Sequence, residues 1–272
     1  MPNRVIRSGA CRLMVDPPAR GAWNMAVDEV LLERVAEDEV PTLRIYRWER
    51  PTLSLGYFQS YAQRQLHRAS LDADVVRRLS GGGAILHDQE ITYSLVLPST
   101  HPLAANTQLL YDTVHHAIVD WLTEFSATKE ISWRLALCER QQKSVRREQP
   151  FMCFQRRSPG DVLLVDELPV DGATVSGDHK IVGSAQRRRR GSVLQHGSIL
   201  WATSQAAPEN RGFTNLTSVT VSLAEAAESL SSKIMASLQL TGENVRLTGE
   251  ILAAAEKSCA NRYNFPAWTE RR

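Results

Sequence analysis

The sequence is short of most features that would place it in a specialised class. It has no run of about 18 apolar residues, so no membrane-spanning helix is expected. The opening MPNRVIRSGA lacks the apolar stretch of a secretory signal. Its 4 cysteines (Cys11, Cys138, Cys153 and Cys259) lie far apart, with no CxxC and no paired histidine spacing. That argues against a disulfide scaffold and a zinc site, and leads us to expect free thiols in a reducing cytoplasm, with neither metal nor cofactor. The formal net charge is only +2 across 272 residues, which gives no global field for nucleic acid or a membrane surface; neither partner is expected. No GxGxxG and no Walker A lysine follows any glycine cluster, so the dinucleotide and P-loop classes are excluded as well.

Hydrophobic residues make up 43% and charged residues 23%, enough for a sizeable core in one large domain or two small ones. Apolar spacing predicts a helix that Asn24 caps and that runs to about Val35, with Val27, Val30, Leu31 and Val35 on one side. Strand-like segments follow at Leu43–Trp48, Thr52–Leu55, Val75–Arg78 and Ile91–Leu97. A second helix should start near Asn106 or Thr107, with Leu110, Val114, Ile118, Trp121 and Phe125 buried. The basic stretch ERQQKSVRREQP reads as an exposed loop, before strands at Asp161–Val165, Lys180–Ala185 and Ser192–Leu200. Ser222 and Glu225 have capping-box spacing ahead of a helix, and a last helix spans about Thr248 to Tyr263. Strands flanked by helices without regular βαβ alternation predict an α+β fold with a mixed sheet.

Four segments can carry chemistry. RRLSGGGAILHD (Arg77–Asp88) holds three consecutive glycines, which let a backbone approach a ligand closely; a flexible strand connection is the plain alternative. In KIVGSAQRRRRGSVLQHGSIL (Lys180–Leu200), strand alternation puts Lys180, Val182, Ser184 and Gln186 on one face and Ile181, Gly183 and Ala185 on the other. The RRRRG link then reads as the turn of a hairpin. Lys180 is either a solvated strand-end charge or a functional lysine beside small residues. In PFMCFQ, Cys153 is either a small core residue or a reactive thiol. Arg187–Arg190 are either a solvated hairpin tip or a patch that steers acidic partners.

Together with WNMAVDE (Trp23–Glu29), PTLRIYRWERPTLSLGYFQ (Pro41–Gln59) and NRYNFPAW near the end, these segments resemble the biotin/lipoate protein ligase and lipoyl-transferase superfamily from Trp23 to Trp268. The Cys153–Phe154 pair upstream of KIVGSAQ resembles its octanoyltransferase branch. The resemblance implies a mixed, largely antiparallel sheet flanked by helices, related to class II aminoacyl-tRNA synthetases and biotin ligases. It divides the chain into a lead-in (1–22), a catalytic domain (23–221) and C-terminal helices packed on the same domain (222–272). It implies that Cys153 forms an acyl thioester while Lys180 tunes the thiol and shuttles protons. It also implies a substrate pocket lined by Arg78, Gly81, Gly82, Gly83, His87, Gly183, Ser184, Ala185 and His196. Two departures from the branch are a longer segment between Cys153 and Lys180, with VDELPVDGATVSGDH as the insertion, and the four consecutive arginines.

The reaction so implied moves octanoate from octanoyl acyl carrier protein, through Cys153, to a lysine of a lipoyl domain or of the glycine-cleavage H protein. Carrier proteins of this class are acidic, and Arg187–Arg190 are expected to capture them. Three rival readings remain at this point. An ATP-dependent lipoate ligase would use the same pocket but needs no cysteine. An amidotransferase between lipoylated proteins would differ only in its donor. A non-catalytic binder would place the arginine run on nucleic acid.

Overall fold

Leu95 and Leu97 point to one face of a strand and Val96 to the other, and each side chain is fully buried. Such a strand must be covered on both faces, and that requirement sets the architecture. The computed structural model describes residues 9–125, 133–139, 150–166, 177–217 and 219–272. The strands are β1 (Gly9–Ala10), β2 (Arg12–Val15), β3 (Thr42–Tyr46), β4 (Thr52–Leu55), β5 (Asp74–Arg77), β6 (Ile85–His87), β7 (Glu90–Leu97), β8 (Trp133–Leu137), β9 (Val162–Asp166), β10 (Asp178–Arg189), β11 (Ser192–Leu200) and β12 (Leu240–Thr241). The helices are α1 (Gly21–Asp38), α2 (Thr107–Glu124), α3 (Phe213–Leu216), α4 (Leu223–Ser237), α5 (Gly249–Ser258) and α6 (Pro266–Thr269).

A seven-stranded sheet runs in the order β2-β3-β7-β11-β10-β9-β8, antiparallel except for the β2–β3 pair. One face packs on α2 and α4, where Leu43, Leu95 and Ile181 meet Leu110, Ile118, Leu230 and Ile234. The other packs on α1 and α5, where Val96 and Leu194 meet Val27, Leu31 and Ala255. A smaller sheet, β5-β4-β6, carries the glycine segment between β5 and β6. The fold is therefore the expected α+β, with a mixed and mostly antiparallel sheet between helices. Among the described residues, no helix is long and apolar enough to cross a membrane.

Most elements start and stop where the periodicity places them, and the exceptions have local causes. Asn24 does not cap α1. The helix begins earlier, behind Arg20, because Gly21 fits where a Cβ would stand 2.7 Å from the Thr52 side chain. Asn24 is instead buried inside the helix, donating to Arg47 O (3.1 Å) while its Oδ1 accepts from Arg44 (2.9 Å). The arginine run is not a turn either. Arg187, Arg188 and Arg189 continue β10, paired with Leu194, Val193 and Ser192. Only Arg190 and Gly191 turn the chain, both at positive φ (48° and 83°), as the tight two-residue hairpin of right-twisted strands requires. The last helix ends as expected, but its final turn is the wider π turn Cys259–Tyr263. Of the basic stretch after Cys138, residues 140–149 lie outside the described residues, and of the turn-rich stretch before His179, residues 167–176 do.

The capping box at α4 forms as its spacing predicts: Ser222 Oγ accepts from Glu225 N, and Glu225 Oε2 accepts from Ser222 N. Ser222→Ala is expected to lower stability by about 1 kcal/mol, read as a lower urea midpoint at unchanged slope.

Candidate active site

Lys180 enters the core at an irregularity of β10. The register against β9 pairs Lys180 with Leu163 and then Val182 with Val162, so Ile181 is an extra residue. Strict alternation fails there. Ile181 and Val182 both join the core under α2, and Lys180 lies across Gly183, where a Cβ would sit 2.5 Å from Lys180 Cε. Lys180 and Gly183 thus share a side, contrary to the face assignment expected from the sequence. Beyond the bulge the expected alternation resumes, and Ser184 and Gln186 both reach toward α2.

The buried Lys180 Nζ lies 2.8 Å from Asp161 Oδ2, which is buried as well. Asp161 is held from two further directions: Tyr111 OH donates to Oδ1 (2.8 Å) and Ser158 N to Oδ2 (2.7 Å). Tyr111 in turn accepts from Ser184 N (3.0 Å). Sequence reading missed Asp161 as a site residue because it registered only as the first residue of a strand. It also missed Tyr111 and His115. These stand four apart on α2, on one flank of its apolar stripe, and that spacing was the available signal.

Cys153 opens a short 3-10 turn between two buried residues, Met152 and Phe154, and is itself partly exposed. Its Sγ lies 3.8 Å from Lys180 Nζ, so the two motifs meet across 27 positions of sequence. The glycine segment forms the opposite wall. Cys153 N donates to Ala84 O (2.7 Å), and Ala84 N donates to Phe151 O (2.9 Å). A Cβ on Gly83 would stand 2.9 Å from Cys153 N, and Gly82 sits at φ 95°. Arg78 lies beneath this loop, buried, and donates to the carbonyls of Ser54, Gly81 and Gly83 at 2.7 Å. Burial draws its guanidinium down to about 10, opposed by the nearby Cys153. Arg156 approaches the same thiol, and burial lowers its guanidinium too.

The two histidines are turned inward onto acids. His196 Nε2 lies 2.5 Å from Ser80 Oγ, just before the glycines, and its Nδ1 lies 3.3 Å from Asp28 Oδ2. His87 stacks on Trp48 with ring centroids 3.9 Å apart, and its Nδ1 lies 2.7 Å from Glu90. Burial pushes His87 below the ordinary imidazole range despite that carboxylate. Cys153, Lys180, Gly183, Gly83 and Arg78 are thus gathered within one or two contacts of each other. Gly81 and Gly82 complete the same loop. Ser184 lies behind Lys180, hydrogen-bonded to Tyr93 and His115, and Ala185 pairs with His196 across the ladder. Among the described residues, no group of three or more His, Cys, Asp and Glu can hold a metal ion.

The chain matches the family model of the lipoyl protein ligase A/B catalytic domain over residues 20–249. A protein named octanoyltransferase LipM from Geobacillus kaustophilus is 30% identical over 99% of this chain and 98% of its own length. Another of that name from an Exiguobacterium species is 40% identical, over 65% of this chain and 61% of its own. Among solved structures, a bipartite lipoate protein ligase from Thermoplasma acidophilum superposes with a TM-score of 0.72 at 20% identity, covering 96% of each chain. A lipoate-protein ligase A bound with ATP does so at 0.67 and 18%, covering 97% of this chain and 99% of the other. At those identities the structural likeness is one of fold.

A polar chain behind Lys180 gives the site a pH limit. His115 Nδ1 donates to Gly160 O (2.6 Å), which leaves Nε2 to accept from Ser184 Oγ (2.7 Å). Burial, reinforced by Lys180, pushes this imidazole down from 6.5 to about 3, so the folded protein keeps it neutral. The unfolded chain binds a proton below 6.5 that the folded chain does not. His115 therefore costs stability progressively as pH falls from 6.5 toward 3, and nothing above that window. The measured loss of stability across that range is expected to be steeper for wild type than for His115→Gln.

Proposed function

The chain belongs to the lipoyl protein ligase A/B catalytic-domain family and is an octanoyltransferase, and we propose that it carries octanoate as a thioester on Cys153. The observation that supports this reading most is the 3.8 Å approach of Cys153 Sγ to a lysine that is itself fixed by a buried carboxylate. An adenylating ligase needs no such thiol, because ATP activates its acid.

In the first half-reaction the Cys153 thiolate attacks the thioester carbonyl of octanoyl acyl carrier protein. The tetrahedral adduct collapses, the new Cys153 thioester forms, and the pantetheine sulfur leaves with a proton from the Lys180 ammonium. The acceptor lysine loses one proton to solvent, and its neutral amine attacks the Cys153 carbonyl while Lys180, now neutral, accepts the second proton. An amide forms and the thiolate is released, so both half-reactions balance without ATP. The acceptor is a lipoyl domain or the glycine-cleavage H protein. Asp161 is a positioning residue that keeps Lys180 aimed at the thiol. The N–H of Cys153 already donates to Ala84 O and does not serve the oxyanion. Arg78 draws the Gly81 carbonyl inward, so the N–H on the other side of that planar peptide, from Gly82, points away from Arg78 and is the proposed oxyanion donor. Thiol chemistry of this kind suits the cytoplasm.

Mixing the protein with octanoyl acyl carrier protein in the absence of ATP is expected to add one octanoyl mass to Cys153, sensitive to hydroxylamine and discharged by an apo lipoyl domain. Cys153→Ser is expected to be nearly inactive. Turnover without any adduct, dependent on ATP, magnesium and free octanoate, would replace this mechanism with the ligase reaction.

Lys180→Arg keeps a cation but cannot release a proton near neutral pH. It is expected to lower turnover by about 10²–10⁴-fold, the usual worth of a general acid and base. An arginine variant of full activity removes Lys180 from the proton path.

A further inference from the structure

The four consecutive arginines do not form one patch. Arg189 pairs with Glu33 and lies 3.7 Å from Glu29, Arg190 lies 3.9 Å from Glu37, and Arg188 donates to Ala104 O. Their charge is met by the molecule itself, largely along α1. Among the described residues Arg187 has no carboxylate beside it, and its guanidinium lies 5.3 Å from the Tyr57 ring. There it joins two arginines from the far end of the sequence. Arg271 lies 3.9 Å over Tyr57 and 4.0 Å over Trp268, and Arg272 lies 5.3 Å from Phe58. Among the described residues these three guanidiniums have aromatic rings as neighbours and no Asp or Glu partner. Their mutual field is felt nearby: the Arg271 hydrogen bond, followed by the charges of Arg271, Arg187 and Arg272, lowers the Tyr57 phenol.

Beside them stands Phe58, a large apolar side chain 68% exposed, with its ring 4.9 Å from that of Tyr57 and 5.3 Å from the Arg272 guanidinium. The Tyr57–Phe58 turn belongs to the wall of the active site. Tyr57 N donates to Ser80 O (2.9 Å), the Phe58 ring lies 3.9 Å from where a Cβ on Gly81 would be, and Gln59 Nε2 donates to Phe151 O (3.2 Å), two residues before Cys153. A partner held here sits beside the glycine loop.

We infer that Arg187, Arg271, Arg272 and Phe58 form the docking surface for the acyl donor, an acidic carrier protein whose thioester arm bears a phosphate, with Phe58 meeting an apolar side chain among its acids. The inference rests on the octanoyltransferase reading and names the surface that reading leaves open. Charge complementarity favours the donor over the acceptor. The donor brings a phosphodiester and carboxylates to this rim, whereas the acceptor brings an ammonium, which three uncompensated guanidiniums repel. Three arginines from two separate parts of the chain then replace the arginine run as the electrostatic element.

The test compares Arg187→Glu, Phe58→Ser and the double variant Arg271→Ser/Arg272→Ser with Arg189→Ser/Arg190→Ser as a control. Each is assayed by thioester formation on Cys153 from octanoyl carrier protein and from octanoyl-pantetheine, which lacks both protein and phosphate. Among the described residues the Arg187 side chain makes no hydrogen bond, and so it gives the cleanest variant. For the arginine variants the expected result is a roughly ten- to hundred-fold loss in kcat/KM for the carrier protein at low salt, shrinking as salt rises, with octanoyl-pantetheine and the lipoyl-domain KM unchanged. For Phe58→Ser the loss is larger with the carrier protein than with octanoyl-pantetheine and does not shrink with salt. The control pair should behave as wild type. Equal losses with octanoyl-pantetheine, a rise confined to the lipoyl-domain KM, or no change at all overturns the assignment. If wild type itself forms no adduct from octanoyl-pantetheine or carrier protein, the thioester reading fails instead, and the two failures are told apart.

Discussion

The buried Lys180–Asp161 pair is the constraint from which the site is built. An ammonium in the interior is tolerated only beside an opposite charge whose remaining lone pairs are also satisfied. That single requirement accounts for Tyr111 and Ser158 on Asp161, for the bulge that turns Lys180 inward, and for the absence of a side chain at Gly183. Removing one member of such a pair typically costs about 3–5 kcal/mol. Held there, its nitrogen lies 3.8 Å from Cys153 Sγ and 5.4 Å from the Phe154 ring centroid.

The second organising element is Arg78. A guanidinium has five donors in a fixed plane, and here they take up carbonyls from β4 and from both ends of the glycine loop. A loop of three glycines is otherwise among the least ordered segments a chain can contain. Pinned from below by Arg78 and from the side by the Ala84–Phe151 and Cys153–Ala84 hydrogen bonds, it becomes a wall against which the thiol is set. His196, reaching Ser80 from β11, holds the same loop from the large sheet. The residues of the motif therefore have different tasks: Arg78 and His196 hold the loop, and the glycines give it room.

A third network ties the centre of the large sheet to α2. Gln195, Tyr93, Ser184 and His115 form a continuous chain of hydrogen bonds through β11, β7, β10 and α2, ending on Gly160 next to Asp161. Gly197 permits it, since a Cβ there would stand 2.1 Å from Ser184 Oγ. This chain is thus satisfied link by link, and it is continuous with the layer that orders Lys180.

Much of the fold was legible in the sequence because it rests on local spacing. The apolar stripe of α2, the alternation in β7 and β11 and the Ser222–Glu225 cap each depend on residues within a few positions of one another. The motif residues Cys153, Lys180 and the glycines were likewise recognisable as candidates from their order along the chain. What spacing could not supply was anything decided by a distant partner. Asn24 looked like a cap until Arg44 and Arg47 claimed its side chain inside the helix. Arg187–Arg190 looked like one basic run until pairing with β11 sent their side chains to opposite surroundings. Asp161 carried no local signature at all, since its meaning comes from a lysine on the neighbouring strand and a tyrosine 50 positions away in the other direction. The sequence by itself determined the elements and the chemical types at the site. Only the tertiary structure decided which charges are paired and which remain free for a partner, because burial and long-range contact set the energy of a charge.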